Sequence, residues 1–152
     1  MTILSIRPAA KEITYVLIKN DKSDKLDLIA QGSLKLAKST SRTADIADLY
    51  KQLKKLMTTE QVNYVLIKAS VVSQDMTLAH LQTAELRGSC VIAATTSKVQ
   101  LKLITPAVTF AKSGKVKETL KNDDLFERNI SGELPKTKRD LALLVINHLD
   151  RK

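Results

Sequence analysis

Two basic side chains stand where apolar runs stop. Arg7 closes the run Ile3-Leu4-Ser5-Ile6 and is followed by Pro8, and Lys68 closes Val65-Leu66-Ile67. Such runs read as buried strands, and in an open α/β sheet ligands collect at the carboxyl ends of the strands. A guanidinium and an ammonium placed there suit contact with phosphate oxygens. The same charges also suit a structural ion pair or a solvated strand end. Among the acids, Asp140 lies three residues after Thr137 and just before an apolar run, a capping-box-like pattern with Thr137 as N-cap. The alternative reading of Asp140 is a salt bridge to Arg7 or Lys68.

A further cationic feature is continuous in the chain. Residues 98–121 carry Lys98, Lys102, Lys112, Lys115, Lys117 and Lys121 against Glu118 alone. The whole chain has 25 Lys and Arg against 16 Asp and Glu, net +9, and residues 97–121 supply +5 of that excess. A patch of this kind attracts polyanions such as DNA or RNA through a salt-sensitive field, and its alternative reading is a solvated lysine face. With aromatic residues at only 3%, a stacking platform for single strands is disfavoured.

Other chemistry is thin. Ser113-Gly114-Lys115-Val116 lacks the upstream glycine and the Ser or Thr after Lys that a phosphate-binding loop requires. His80 and His148 have no Cys or second His at ligand spacing, which points to core packing or a helix-end cation rather than a metal. Cys90 is the single cysteine and sits beside Val91-Ile92-Ala93-Ala94. It reads as a small buried hydrophobe, compatible with a reducing cytoplasm.

These side chains need a scaffold, and 152 residues with 43% hydrophobic content suffice for one domain over residues 1–152. No apolar stretch is long enough for a membrane span and no secretory leader is recognisable, so a cytoplasmic protein is expected. Strands are expected over residues 3–6, 13–19, 26–36, 62–67 and 99–104, with a bulge or frayed end at Gln31-Gly32-Ser33. Ile46, Leu49, Tyr50, Leu53, Leu56 and Met57 recur at helical spacing behind the polar run 39–43, which supplies N-caps. Residues 76–87 read as a helix with Leu78, Leu81 and Ala84 inward, while 89–94 fits either strand or helix. Thr105 and Pro106 can start a helix near 108, Lys112-Ser113-Gly114 breaks it, and 115–121 resumes it. Residues 122–135 read mostly as loop, and a last helix runs from Thr137 to about 150 with Leu141, Leu144, Val145 and Leu149 on one face.

Three of these segments together resemble the RuvC-type Holliday-junction resolvases of the RNase H-like superfamily. Ile3 to Ala9 is similar to the family's first-strand motif. Asn63 to Lys68, with Ala84 to Gly88 and Val91 to Ala94 behind it, is similar to the fourth strand and the helix after it. Asp140 to His148 is similar to the closing helix. The resemblance implies an RNase H-like (RuvC-like) α/β domain. Its mixed five-stranded sheet would have flanking helices, with 3–6 central between 62–67 in parallel and 13–19 antiparallel, and 89–94 helical. It also implies a nuclease site of four carboxylates around Mg²⁺. At the corresponding positions this chain has Arg7, Lys68, Thr137 and Asp140, so one acid remains. The expectation is a non-catalytic nucleic-acid-binding protein with no metal and no other cofactor. Arg7, Lys68 and the six lysines of residues 98–121 are its candidate phosphate contacts. The alternative is a protein-interaction or scaffolding domain that keeps the fold. A homodimer is further implied by the resemblance alone.

Overall fold

The computed structural model describes residues 1–21, 23–69, 76–104 and 116–149, with the side chains of 116 and 117 left aside. The chain opens with strands β1 (Thr2–Pro8), β2 (Glu12–Lys19) and β3 (Leu26–Lys35), then helix α1 (Arg42–Thr59) and strand β4 (Tyr64–Lys68). Helix α2 (Leu78–Thr96) and strand β5 (Gln100–Ile104) follow. After them come α3 (Val116–Thr119), α4 (Asp123–Asn129), β6 (Ile130–Ser131), a 3-10 turn (Lys136–Lys138) and α5 (Arg139–His148).

The strands form one sheet in the order β5-β4-β1-β2-β3-β6. β1 is central, parallel to β4 and antiparallel to β2, as the family resemblance implies. Residues 89–94 belong to α2, which answers the strand-or-helix ambiguity. The sheet has six strands where five were expected. The sixth is two residues long, Ile130 and Ser131 lying beside Leu26 and Asp27, too short to leave an alternating pattern.

Helices cover both faces. Leu4, Ile6, Ile13, Leu17, Val65 and Ile67 pack under α1 and α2, while Ile3, Val16, Ile18, Leu26 and Leu66 pack under α5. Because side chains alternate along a strand, Ile3, Ser5 and Arg7 share the α5 face of β1, and Leu66 and Lys68 share it on β4. The parallel register sets Ile6 beside Ile67, so the two basic strand ends are neighbours. α5 supplies Leu141, Leu144 and Val145 to that core. Its N-terminal end reaches Arg7, and its other end sets the His148 ring 4.6 Å from that of Tyr64.

Several expectations need correction. Leu78 and Leu81 are 69% and 52% exposed, and Ala84 is exposed too; α2 buries Leu86, Cys90, Ala93 and Ala94 instead. The inward stripe is thus turned around the helix, since Cys90 and the two alanines let the helix lie close to the sheet. His80 is neither core nor helix-end cation. It completes a capping box with Thr77, its Nδ1 accepting the Thr77 N–H at 3.2 Å. Residues 123–129 form a helix, capped by Asn122 and anchored by buried Phe126, where loop was expected. The register break in β3 falls opposite Leu17 and Ile18, at Ile29. Gly32 has another use: a Cβ there would lie 3.0 Å from the Tyr15 hydroxyl oxygen. The expected helix start near 108, its Thr105–Pro106 cap and its break at 112–114 lie outside the described residues.

Cys90 is fully buried, and that burial pushes its thiol up to about 12. The native protein should therefore resist a thiol reagent at pH 8, and its one cysteine should react only as denaturant opens the fold. Rapid labelling of the native protein would contradict this packing.

Candidate nucleic-acid interface

Sequence reasoning proposed Arg7, Lys68, Thr137 and Asp140 for one place, and the fold brings all four together. Asp140 Oδ2 accepts from Arg7 Nη1 at 2.7 Å and from Lys68 Nζ at 2.8 Å. The Thr137 carbonyl lies 3.5 Å from both Arg7 terminal nitrogens. Asp140 is 14% exposed, whereas Arg7 and Lys68 are 36% and 31% exposed, so the acid sits beneath two cations that still face solvent.

The capping reading of this segment does not hold. Thr137 is in the 3-10 turn, the N-cap position of α5 is Lys138, and no side chain caps the helix there. The turn delays the helix by two residues and aims the Thr137 carbonyl at Arg7. Arg139, 7% exposed, fixes the approach. Its Nη2 contacts Asp123 Oδ1 at 2.5 Å, its Nη1 donates to the Leu120 carbonyl at 3.2 Å, and its guanidinium lies 4.8 Å from the Phe126 ring centre. The hydrogen bond from Arg139, with the charge of Lys136, holds the Asp123 carboxyl below its usual range. Sequence reasoning missed Arg139; a basic residue beside the proposed acid gave no periodic signal.

A divalent cation does not fit this donor set. Asp140 Oδ1 is buried without a hydrogen-bond partner, a single free anionic oxygen. Its twin is occupied by two cations. Unit charges about 4 Å apart interact by about 4 kcal/mol at an effective dielectric constant of about 20. A Mg²⁺ ion would gain from one carboxylate roughly half of what it lost to Arg7 and Lys68. Among the described residues no three His, Cys, Asp or Glu side chains are grouped to hold a metal.

Of the candidate lysines, Lys98, Lys102 and Lys121 are exposed, with Lys98 in a left-handed turn (φ 56°) between α2 and β5. Lys112 and Lys115, and the side chain of Lys117, lie outside the described residues. No helix among the described residues is long and apolar enough to cross a membrane.

Comparison with known proteins agrees with this architecture. The family model described as crossover junction endodeoxyribonuclease RuvC matches residues 3–120. Thermus thermophilus RuvC in complex with Holliday junction substrate is similar at 10% identity and TM-score 0.79, over 98% of this chain and 92% of that one. The yeast mitochondrial Holliday junction resolvase is similar at 15% identity and TM-score 0.60, over 92% and 74%. The fowlpox virus resolvase, in complex with Holliday junction DNA, gives 12% identity and TM-score 0.54, over 98% and 99%. No match to a curated protein was found.

Proposed function

The chain belongs to the RuvC family of crossover junction endodeoxyribonucleases, and we propose that it binds nucleic acid without metal-dependent cleavage. The observation that carries this reading is the capture of Asp140 by Arg7 and Lys68, with Thr137 supplying a carbonyl rather than an acid. Two cations stand where the family resemblance calls for metal ligands. Hard divalent ions need converging anionic oxygens, and water activation at such a site depends on them. The same cations keep donors to spare, so they suit phosphodiester oxygens arriving from solvent. Lys98, Lys102 and Lys121 extend the positive field, with Lys112, Lys115 and Lys117 assigned from sequence. Support for DNA as partner comes from relatives whose structures hold Holliday junction DNA. RNA remains within the same chemistry. The single buried thiol suits the reducing cytoplasm.

Gel shifts on duplex, single-stranded and four-way-junction DNA and on RNA test this directly. Binding is expected at low salt, weakening steeply as salt rises, with little sequence preference because phosphate contacts position without specifying. Replacing Arg7 and Lys68 together by glutamine should weaken it at least about tenfold, or about 1.4 kcal/mol. Absence of any shift at low salt on all four substrates rejects the reading.

A second reading, a protein-interaction domain, is favoured by one observation. Leu78, Leu81 and Ile92 lie along one stripe of α2 and are 69%, 52% and 57% exposed. A stoichiometric protein partner that nuclease treatment does not release would support it. Sedimentation would show whether that partner is a second copy.

A further inference from the structure

We propose that the nucleic-acid backbone runs across the carboxyl edge of the sheet, at right angles to the strands, over a row of cations formed by Lys68, Arg7, Lys11, Lys35 and Lys38. This rests on the nucleic-acid-binding reading and adds a surface outside the Lys98 to Lys121 segment. The sheet order places β4, β1, β2 and β3 side by side. Lys68 ends β4, Arg7 lies at the end of β1, Lys11 leads into β2 and Lys35 ends β3. Adjacent strands lie about 4.8 Å apart, so four strand ends span about 14 Å, close to the axial rise of about four nucleotides in one DNA strand.

The outer part of the row is built onto the fold. The Leu36 N–H donates to the Lys11 carbonyl at 2.9 Å, and Lys35 lies opposite Glu12 in the β2–β3 register. Lys11, Lys35 and Lys38 line one pocket of about 540 Å³ beside the first turn of α1. Arg42 holds this corner together rather than offering its charge. It donates to the Ala10 carbonyl at 3.3 Å from both terminal nitrogens, to the Gln82 carbonyl at 3.3 Å, and pairs with Glu85 at 2.7 Å. All three lysines are exposed, and among the described residues none forms an ion pair.

Carboxylates at this edge do not cancel the row. Asp140 is held by Arg7 and Lys68, Asp45 is buried and accepts the Ser39 N–H at 3.3 Å, and Glu12 is half-buried. With Glu85 matched by Arg42, the five cations of the row face three acids among the described residues. A small anion would fill the pocket and leave Arg7 and Lys68 uninvolved, whereas a polyanion reaches the whole row.

The test measures Kd by fluorescence anisotropy for duplex and four-way-junction DNA from 50 to 200 mM KCl. The triple variant Lys11→Gln, Lys35→Gln, Lys38→Gln is compared with a control of equal charge change away from this edge, Lys19→Gln, Lys51→Gln, Lys55→Gln. The edge variant should bind at least about tenfold more weakly at 100 mM KCl, with a slope of log K against log salt shallower by about two to three. The control should stay within about twofold of the parent, and thermal melting should be alike in all three, the changes being on the surface. Equal loss in both variants would mean that net charge acts without a path, and it overturns the proposal. So does an edge variant that binds like the parent, though the parent's own binding then leaves the broader reading intact. A parent that binds neither DNA overturns this proposal, and the broader reading falls with it only when single-stranded DNA and RNA are unbound as well.

Discussion

Replacing Asp140 by alanine is expected to lower the stability of the folded protein by about 2 kcal/mol. Asp140 Oδ2 holds two cations at 2.7 and 2.8 Å and is itself mostly buried. Removing one partner of a buried pair costs about 3–5 kcal/mol when the remaining charge stays buried. Here Arg7 and Lys68 are about one-third exposed and can turn toward water, which reduces that cost. A second contribution remains, because Asp140 lies in the first turn of α5, where a negative charge is favoured by about 0.3–1 kcal/mol. For a chain of this size the loss corresponds to a fall in Tm of about 4–8 °C. Substituting all three groups by apolar residues, Asp140→Leu with Arg7→Met and Lys68→Met, should recover much of it, since no charge is then left unpaired. A single Asp140→Ala variant melting at the parent temperature would show that the ion pairs contribute nothing.

Different kinds of signal explain which parts of this molecule can be read from its residues. The apolar runs of β1 and β4 each end in a basic residue, which marks Arg7 and Lys68 as strand-end cations, whereas their sharing one face of the sheet follows only from the register of β1 against β4. The helix α1 follows from its spacing, with Leu49, Leu53 and Met57 buried as expected. The inward face of α2 does not follow, because Leu78 and Leu81 look more like core than Cys90, Ala93 and Ala94. Close helix–sheet approach reverses that ranking. Thr137 and Asp140 have the spacing of a cap, yet the 3-10 turn gives Asp140 to two cations from distant strands, a tertiary preference that local pattern cannot contain. The cation row is hidden for a related reason. Lys11, the nearby pair Lys35 and Lys38, and Lys68 are dispersed along the chain, and only strand order makes these three places neighbours, whereas the lysines of residues 98–121 are conspicuous through adjacency in sequence.

Returning acids to this edge should create the metal affinity that the present residues oppose. In a variant carrying Arg7→Asp, Lys68→Glu and Thr137→Asp, with Asp140 retained, two cations leave and three carboxylates join the fourth. Without metal these acids repel one another, and the variant should melt below the parent. Added Mg²⁺ then binds the folded form alone, and at ten times its Kd it stabilises by about 1.4 kcal/mol, a rise in Tm of about 3–6 °C. The unmodified protein should show no such rise at millimolar Mg²⁺, since Arg7 and Lys68 already occupy the remaining carboxylate. Metal affinity in the variant need not bring cleavage, because orientation of the ligands depends on surrounding groups that evolved around cations. The pair of melting curves separates these points. A Mg²⁺-dependent rise in the parent would mean that the ion pairs yield to metal, and Mg²⁺-dependent junction cleavage by the parent that disappears in Asp140→Asn would overturn the non-catalytic reading.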